Sequence, residues 1–276
     1  MSQIDQTQIG IFYSLIQKHP EVVGNFEKIA NLATDMSRMD QFFNLVKPVT
    51  TNHELIRIGG ESDGGYLIPN DLEGIEMCFS PGVSSTADFE FELANRGIKS
   101  YLADYSVDAP PFENRLFHFE KKYLGDINDS VYMTLESWVN RNAPDQNELI
   151  LQMDIEGSEY PVICSTNSEI LRKFRIIVIE LHDLYRLCDK QGFETINLTF
   201  EKLLNDFDIV HIHPNNNCFK INYGRYEIPS LLEFTFLRKD RILNKQPATS
   251  FPHELDRQNV VGDDFPLPVC WYLRSD

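Results

Sequence analysis

Basic residues are scarce in this sequence. Its 25 Lys and Arg stand against 42 Asp and Glu, a formal charge of −17 over 276 residues. That balance argues against a nucleic-acid phosphate backbone or an anionic membrane as main partner, since both require a basic face. Long apolar runs are missing too, and none approaches the roughly 20 residues of a membrane helix. The opening Met-Ser-Gln-Ile-Asp-Gln has neither the basic nor the apolar region of a secretory leader. A cytoplasmic protein with no membrane span and no nucleic-acid partner is therefore expected. The five cysteines (Cys78, Cys164, Cys188, Cys218, Cys270) are scattered, odd in number and without a Cys-x-x-Cys pair. Neither a disulfide framework nor the usual kind of zinc site is suggested. A full G-x-G-x-x-G phosphate fingerprint is absent, as are internal repeats and low-complexity runs.

What is present is core-forming material: 42% hydrophobic residues, with 19 Phe and 11 Tyr. Ile9, Phe12, Tyr13 and Ile16 recur at helical spacing, as do Phe26, Ile29, Ala30 and Ala33, and a third helix is expected over Met36–Leu45. Residues 1–48 are read as a helical extension, a lid or a dimer surface, so a homo-oligomer is compatible with them. Strands and helices then alternate, which implies an α/β fold with a mostly parallel sheet and right-handed crossovers. Strands are expected near 75–79, 100–103, 116–119, 149–153, 174–179, 207–213 and 229–237, the last two as an antiparallel pair. Residues 241–276, rich in Pro and Asp, form a tail expected to wrap the core.

Glycine and acids mark the candidate sites. The stretch 59–65, with Gly pairs around Asp63 and Gly64, reads as a hairpin turn or as backbone lying close to a ligand. Strand 75–79 runs into Ser80-Pro81-Gly82, then a helix, then a strand ending on Asp104. Strand, Gly turn, helix, strand, acid is the nucleoside-binding half of a Rossmann-like fold, and the acid about 20 residues on suits ribose hydroxyls. The run 149–153 ends on Asp154, Glu156 and Glu159, with Ser158 expected to cap the next helix. A second apolar strand ends on Glu180 and His182, which share a face two residues apart. Acids at the carboxyl edge of a parallel sheet stand at the mouth of a ligand cleft. The plainer alternative is that they only cap helices. Another strand ends on His213, Pro214 and Asn215.

Taken together, Arg57-Ile58-Gly59, Asp63-Gly64-Gly65-Tyr66, Ser80-Pro81-Gly82-Val83, Asp104, the Asp154-Ile155-Glu156-Gly157-Ser158-Glu159-Tyr160 stretch, Glu180-Leu181-His182 and His213-Pro214-Asn215-Asn216 resemble the FkbM family of S-adenosylmethionine-dependent methyltransferases. The resemblance covers roughly residues 55–238. It implies a class I methyltransferase fold, a Rossmann-like seven-stranded sheet with helices on both faces, spanning 49–240. It also implies O-methylation, commonly of a sugar hydroxyl. Asp63, Gly64, Ser80, Gly82 and Asp104 are then the expected contacts of S-adenosyl-L-methionine, and Asp154, Glu180 and His182 the catalytic group. Glu156, His213 and Asn215 are expected to contact a sugar or glycan acceptor. Two chemistries fit this set. Either His182 or an acid acts as general base, or Asp154, His182 and His213 hold Mg²⁺ or Mn²⁺ that lowers the acceptor hydroxyl's pKa. Two other classes stay open: a nicotinamide-dependent oxidoreductase and a non-catalytic nucleotide- or glycan-binding module.

Overall fold

The computed structural model describes residues 32–273. The helical spacings at 9–16 and 26–30 lie outside the described residues. Helix α1 spans Met36–Leu45, as expected. The sheet strands are β1 (Met77–Pro81), β2 (Lys99–Ala103), β3 (Phe117–Glu120), β4 (Leu149–Met153), β5 (Phe174–Leu181), β6 (Phe207–Pro214) and β7 (Leu232–Arg238). Between them run α2 (Asp88–Asn95), α3 (Leu135–Asn142), α4 (Glu159–Ser165), α5 (Ser168–Leu171) and α6 (Lys190–Asp206).

The seven strands lie in the order β6-β7-β5-β4-β1-β2-β3. β7 is antiparallel to both of its neighbours, and the pairs from β5 to β3 are parallel. This is the class I methyltransferase arrangement.

Burial on both faces explains the apolar strands. Along β4, Leu149, Leu151 and Met153 enter one core, while Ile150 enters the core on the other face. β5 repeats the pattern with Ile177 and Ile179 against Ile176 and Val178. One face is covered by α1, α3, α4, α5 and α6. The other is covered by α2 and by an antiparallel hairpin, Leu55–Ile58 with Tyr66–Pro69. α2 closes on Gly97 (φ +82°), with Ile98 N–H donating to the Leu93 carbonyl and Gly97 N–H to that of Ala94. That left-handed closure is the expected one.

The expected hairpin forms, with Asp63-Gly64 at the centre of a turn closed by Gly65 N–H donating to the Ser62 carbonyl, within a loop over 59–65. Arg57 holds that loop by donating to the carbonyls of Gly60 and Ser62. Two other local expectations need correction. The last sheet strand starts at Leu232, since Tyr226–Pro229 pairs instead with Lys220–Tyr223 in a separate hairpin. Ser158 stands at the N-cap of α4 without a side-chain capping bond. Glu159 instead holds the turn that precedes the helix, its Oε1 accepting from the N–H groups of Ile155 and Gly157.

The segment after Arg238 penetrates the core. Trp271 is fully buried against Phe42 and Phe43 of α1, with ring centroids 6.3 and 4.9 Å away. Lys245–Pro247 pairs with Val49–Thr51. At the amino edge of the sheet, buried Arg175 binds Glu148 at 2.6 Å and the Asp71 carbonyl at 2.8 Å, and Arg241 closes on Asp71 at 2.7 Å.

Candidate functional site

β1, β2, β4 and β5 end at one edge of the sheet, where antiparallel β7 begins. The chain leaves β1 through Gly82 at φ +92°, and a Cβ there would stand 1.5 Å from the Asp154 carbonyl oxygen. Only glycine lets the β1 turn pass β4 this closely. Gly82 N–H donates to the Ala103 carbonyl and Asp154 N–H to that of Pro81, so the three strand ends are laced together. Beside this junction opens a cavity of about 490 Å³. Gly82, Ser84, Asp104, Asp154 and Glu156 line one side, and Tyr123, Leu124 and Tyr132 the other. Its size is in the range of about 300–1,000 Å³ usual for small-molecule sites.

Asp104 stands in this wall, 5% exposed. Its Oδ2 accepts from Ser84 N–H at 2.8 Å, and its Oδ1 from the N–H and hydroxyl of Ser106, both at 2.7 Å. A carboxylate has about four acceptor positions. One on Oδ2 is left for a ligand hydroxyl, and a second frees if the Ser106 hydroxyl rotates away. Exposed Asp63 stands at the rim of this cavity, its Oδ1 accepting from the Asn259 amide at 3.1 Å, while Gly64 lines a smaller pocket that shares Gly82 and Asp154 with it.

Ser80 does not reach the cavity. It is fully buried beneath the junction, bonded to Glu90 and to Gln152 Oε1 at 2.6 Å, while the Gln152 amide donates to Tyr66 at 3.3 Å. One hydroxyl carries one proton, so Ser80 can donate to only one of these two acceptors. A neutral Glu90 donating to Ser80 completes the chain, and burial does push Glu90 up to about 7.

Asp154, Glu156, Glu159 and His182 converge at the carboxyl ends of β4 and β5. His182 Nδ1 lies 3.1 Å from Glu159, and its Nε2 lies 3.4 Å from Glu156 and 3.9 Å from Asp154. Burial works against the imidazolium, but the Glu159 hydrogen bond and the Asp154 and Glu156 charges outweigh it and hold His182 at about 9. Asp154 moves up from the carboxylate range, because its burial outweighs the attraction of His182 and further acids surround it. Its Oδ1 is buried without a hydrogen bond. Glu156 is mostly exposed, at a left-handed φ of +55°, a conformation a glutamate adopts at a cost. Donor atoms of Asp154, Glu156 and His182 lie within 4.8 Å of one another.

Glu180 is 3% exposed, and its burial raises it well above the carboxylate range. Its Oε1 accepts from Asn215 at 3.1 Å and its Oε2 has no partner. Across the β5–β7 pair it faces Glu233, another buried acid, which accepts from Asn259 at 2.6 Å. The sequence groups His213 with Asp154 and His182 as ligands, but the structure does not bring it there. His213 stands on β6, two strands over from His182, with His211 and Asp256.

Several residues of the site escape the sequence reading. Glu159 was visible only as the third acid of its stretch. Glu233 had one faint signal, an acid inside the apolar run 231–237. Asn259 and Asp256 come from the tail and carried none.

The strand order is that of the class I methyltransferase fold. Residues 97–207 match the family described as the methyltransferase FkbM domain. No match among curated proteins was found. Among solved structures, the chain is similar to the fibrillarin/Nop5p complex at 15% identity and TM-score 0.36, covering 60% of this chain and 73% of that one. It is also similar to a structure described as the conversion of a disulfide bond into a thioacetal group during echinomycin biosynthesis, at 15% identity and TM-score 0.31, covering 60% of this chain and 79% of that one. Among the described residues, no helix is long and apolar enough to cross a membrane.

Proposed function

We propose that this chain is an S-adenosylmethionine-dependent O-methyltransferase acting on a hydroxyl of a sugar or glycan. The observation that carries the reading is the cavity of about 490 Å³ at the ends of β1, β2 and β4, with buried Asp104 in one wall and Asp154 at its inner end. The residues fit the cofactor: Gly82 keeps the wall free of a side chain, Asp104 has acceptor capacity for ribose, and Tyr123 and Tyr132 offer ring faces. Bound there, S-adenosylmethionine supplies an electrophilic methyl group. Asp63 closes the rim over it, and Gly64 keeps the turn beside it free of a side chain.

Asp154 accepts the acceptor hydroxyl's proton as the new bond forms. Its raised affinity for a proton suits that role, because a base works best with a pKa near ambient pH. His182, held near 9, is already protonated at neutral pH and serves Asp154 as a positioning cation. Glu156, in the cavity wall, holds an acceptor hydroxyl, and buried Glu180 lies outside the lining, bonded to Asn215. With acids around it and no Lys or Arg among the cavity's lining residues, the cleft suits a neutral or cationic acceptor rather than a phosphorylated one. Mg²⁺ or Mn²⁺ held by Asp154, Glu156 and His182 is the second reading, supported by their donor spacing. Such an ion has to displace the His182 proton, since a ligating imidazole is neutral.

The test is turnover with isotopically labelled S-adenosylmethionine on a panel of neutral, amino and phosphorylated glycans. An oxygen-linked labelled methyl group on a non-phosphorylated sugar is expected. Methyl transfer to nitrogen or carbon, or to phosphorylated sugars alone, would overturn the reading.

A further inference from the structure

We propose that His211, His213 and Asp256 form a second metal site, taking one transition-metal dication of the Zn²⁺ class. Alternation along β6 puts His211 and His213 on the same side of the strand. Their rings lie 6.5 Å apart and 12° from parallel. Asp256 arrives from the C-terminal segment and reaches both. Its Oδ1 stands 2.8 Å from His211 Nε2 and 3.5 Å from His213 Nδ1. The three donor atoms lie within 4.8 Å of one another. Ligands held at about 2.0–2.2 Å in a tetrahedral zinc site are roughly 3.3 Å apart, so little movement is needed.

Two further observations point to a ligand. Neither ring nitrogen of His213, whose side chain is 14% exposed, makes a hydrogen bond: Nδ1 has only its 3.5 Å ion-pair contact with Asp256, and buried Nε2 has no partner. Buried polar groups are rarely left so, and a coordinated ion satisfies one of these nitrogens. A cavity of about 160 Å³ adjoins the cluster, lined by His213, Asp256, His253 and Arg257. It offers a fourth position to water or an anion. Asp256 is also oriented from behind, its Oδ2 accepting from His253 N–H at 2.8 Å. A carboxylate fixed in this way is a usual support of a metal site.

Two imidazoles and one carboxylate suit Zn²⁺, Co²⁺, Ni²⁺ or Fe²⁺ better than Mg²⁺ or Ca²⁺, which take oxygen. The ion would join the C-terminal segment to β6. Three residues beyond Asp256, Asn259 donates to Asp63 at the cavity rim, so the join also steadies that rim.

The full chain, stripped by a chelator and dialysed, is titrated with Zn²⁺ by calorimetry and with Co²⁺ by visible absorption. One equivalent should bind, with the d–d bands of tetrahedral Co²⁺. Affinity should fall about 100-fold or more in His213→Gln and in Asp256→Asn and stay within a few-fold in His182→Gln. Because a variant can fail to fold, the ¹⁵N imidazole shifts of the wild-type protein are followed too; those of His211 and His213 should move on Zn²⁺ addition. Overturning results are an absence of stoichiometric binding, binding that survives in both folded variants, or shifts confined to His182.

Discussion

His182 keeps its proton because of its neighbours. Burial alone would neutralise it, and the hydrogen bond to Glu159 is the main influence holding it near 9. Glu159→Gln keeps an amide oxygen for the Ile155 and Gly157 N–H groups but loses the charge. In NMR titration the His182 midpoint should then fall from about 9 toward the ordinary imidazole range. Stability follows with a definite sign. A folded-state pKa raised above its unfolded value adds stability that is full below about 6.5 and is lost as pH rises through about 9. The stability gap between wild type and Glu159→Gln should therefore be widest below pH 6.5 and close above pH 9; a gap constant with pH would assign Glu159 to turn capping alone.

Asp154 and Glu156 separate by the same reasoning. Asp154→Asn should lower kcat by ~10²-fold or more as the base is lost, and Glu156→Gln should act mainly on the acceptor KM. Full kcat with reduced thermal stability in Asp154→Asn would return the stretch to helix capping. The positions of Asp154 and His182 at the carboxyl edge of the sheet were legible because a parallel strand delivers whatever follows its apolar run there, and Glu180 is the last residue but one of β5. Glu233 was not, because it enters from the start of an antiparallel strand. Asp256 comes from a segment without periodicity, and its meeting with His211 and His213 is purely tertiary.

At the scale of elements, β4 was legible to its end residues because its apolar run is bounded by polar residues on both sides. The hairpin was legible as a pair of strands with Asp63-Gly64 turning between them. What was not legible is the hold of Arg57 on the rest of the loop, because that side chain acts across it. The strand expected from 229 mixes two elements, since Tyr226–Pro229 and Leu232–Arg238 are both apolar and only Ser230 and Leu231 part them. At the sheet's amino edge, opposite the cleft, Arg175 ties β5 to the segments before β1 and β4. Removing one member of a buried ion pair costs about 3–5 kcal/mol. Arg175→Ala should lose that much in urea denaturation while S-adenosylhomocysteine affinity in the folded protein stays unchanged; a loss under about 1 kcal/mol would mean the network contributes little.

The whole molecule joins a sheet legible from its alternating pattern to a C-terminal segment that was not. Trp271 completes the core under α1, and Asn259 reaches the rim of the cavity. A metal question belongs to this scale. EDTA should leave methyl transfer intact if Asp154 takes the proton, whereas a loss restored by Mg²⁺ or Mn²⁺ would assign Asp154, Glu156 and His182 to an ion.

The central claim is that the cavity beside Gly82, Asp104 and Asp154 takes S-adenosylmethionine. Calorimetry with S-adenosylmethionine, S-adenosylhomocysteine and NAD tests it most directly. One equivalent of each sulfur compound should bind and NAD should not. Asp104→Ala should weaken S-adenosylhomocysteine by about 1–3 kcal/mol, the scale of a lost charge-assisted hydrogen bond. Binding of NAD in place of the sulfur compounds, or full affinity in folded Asp104→Ala, would contradict the account.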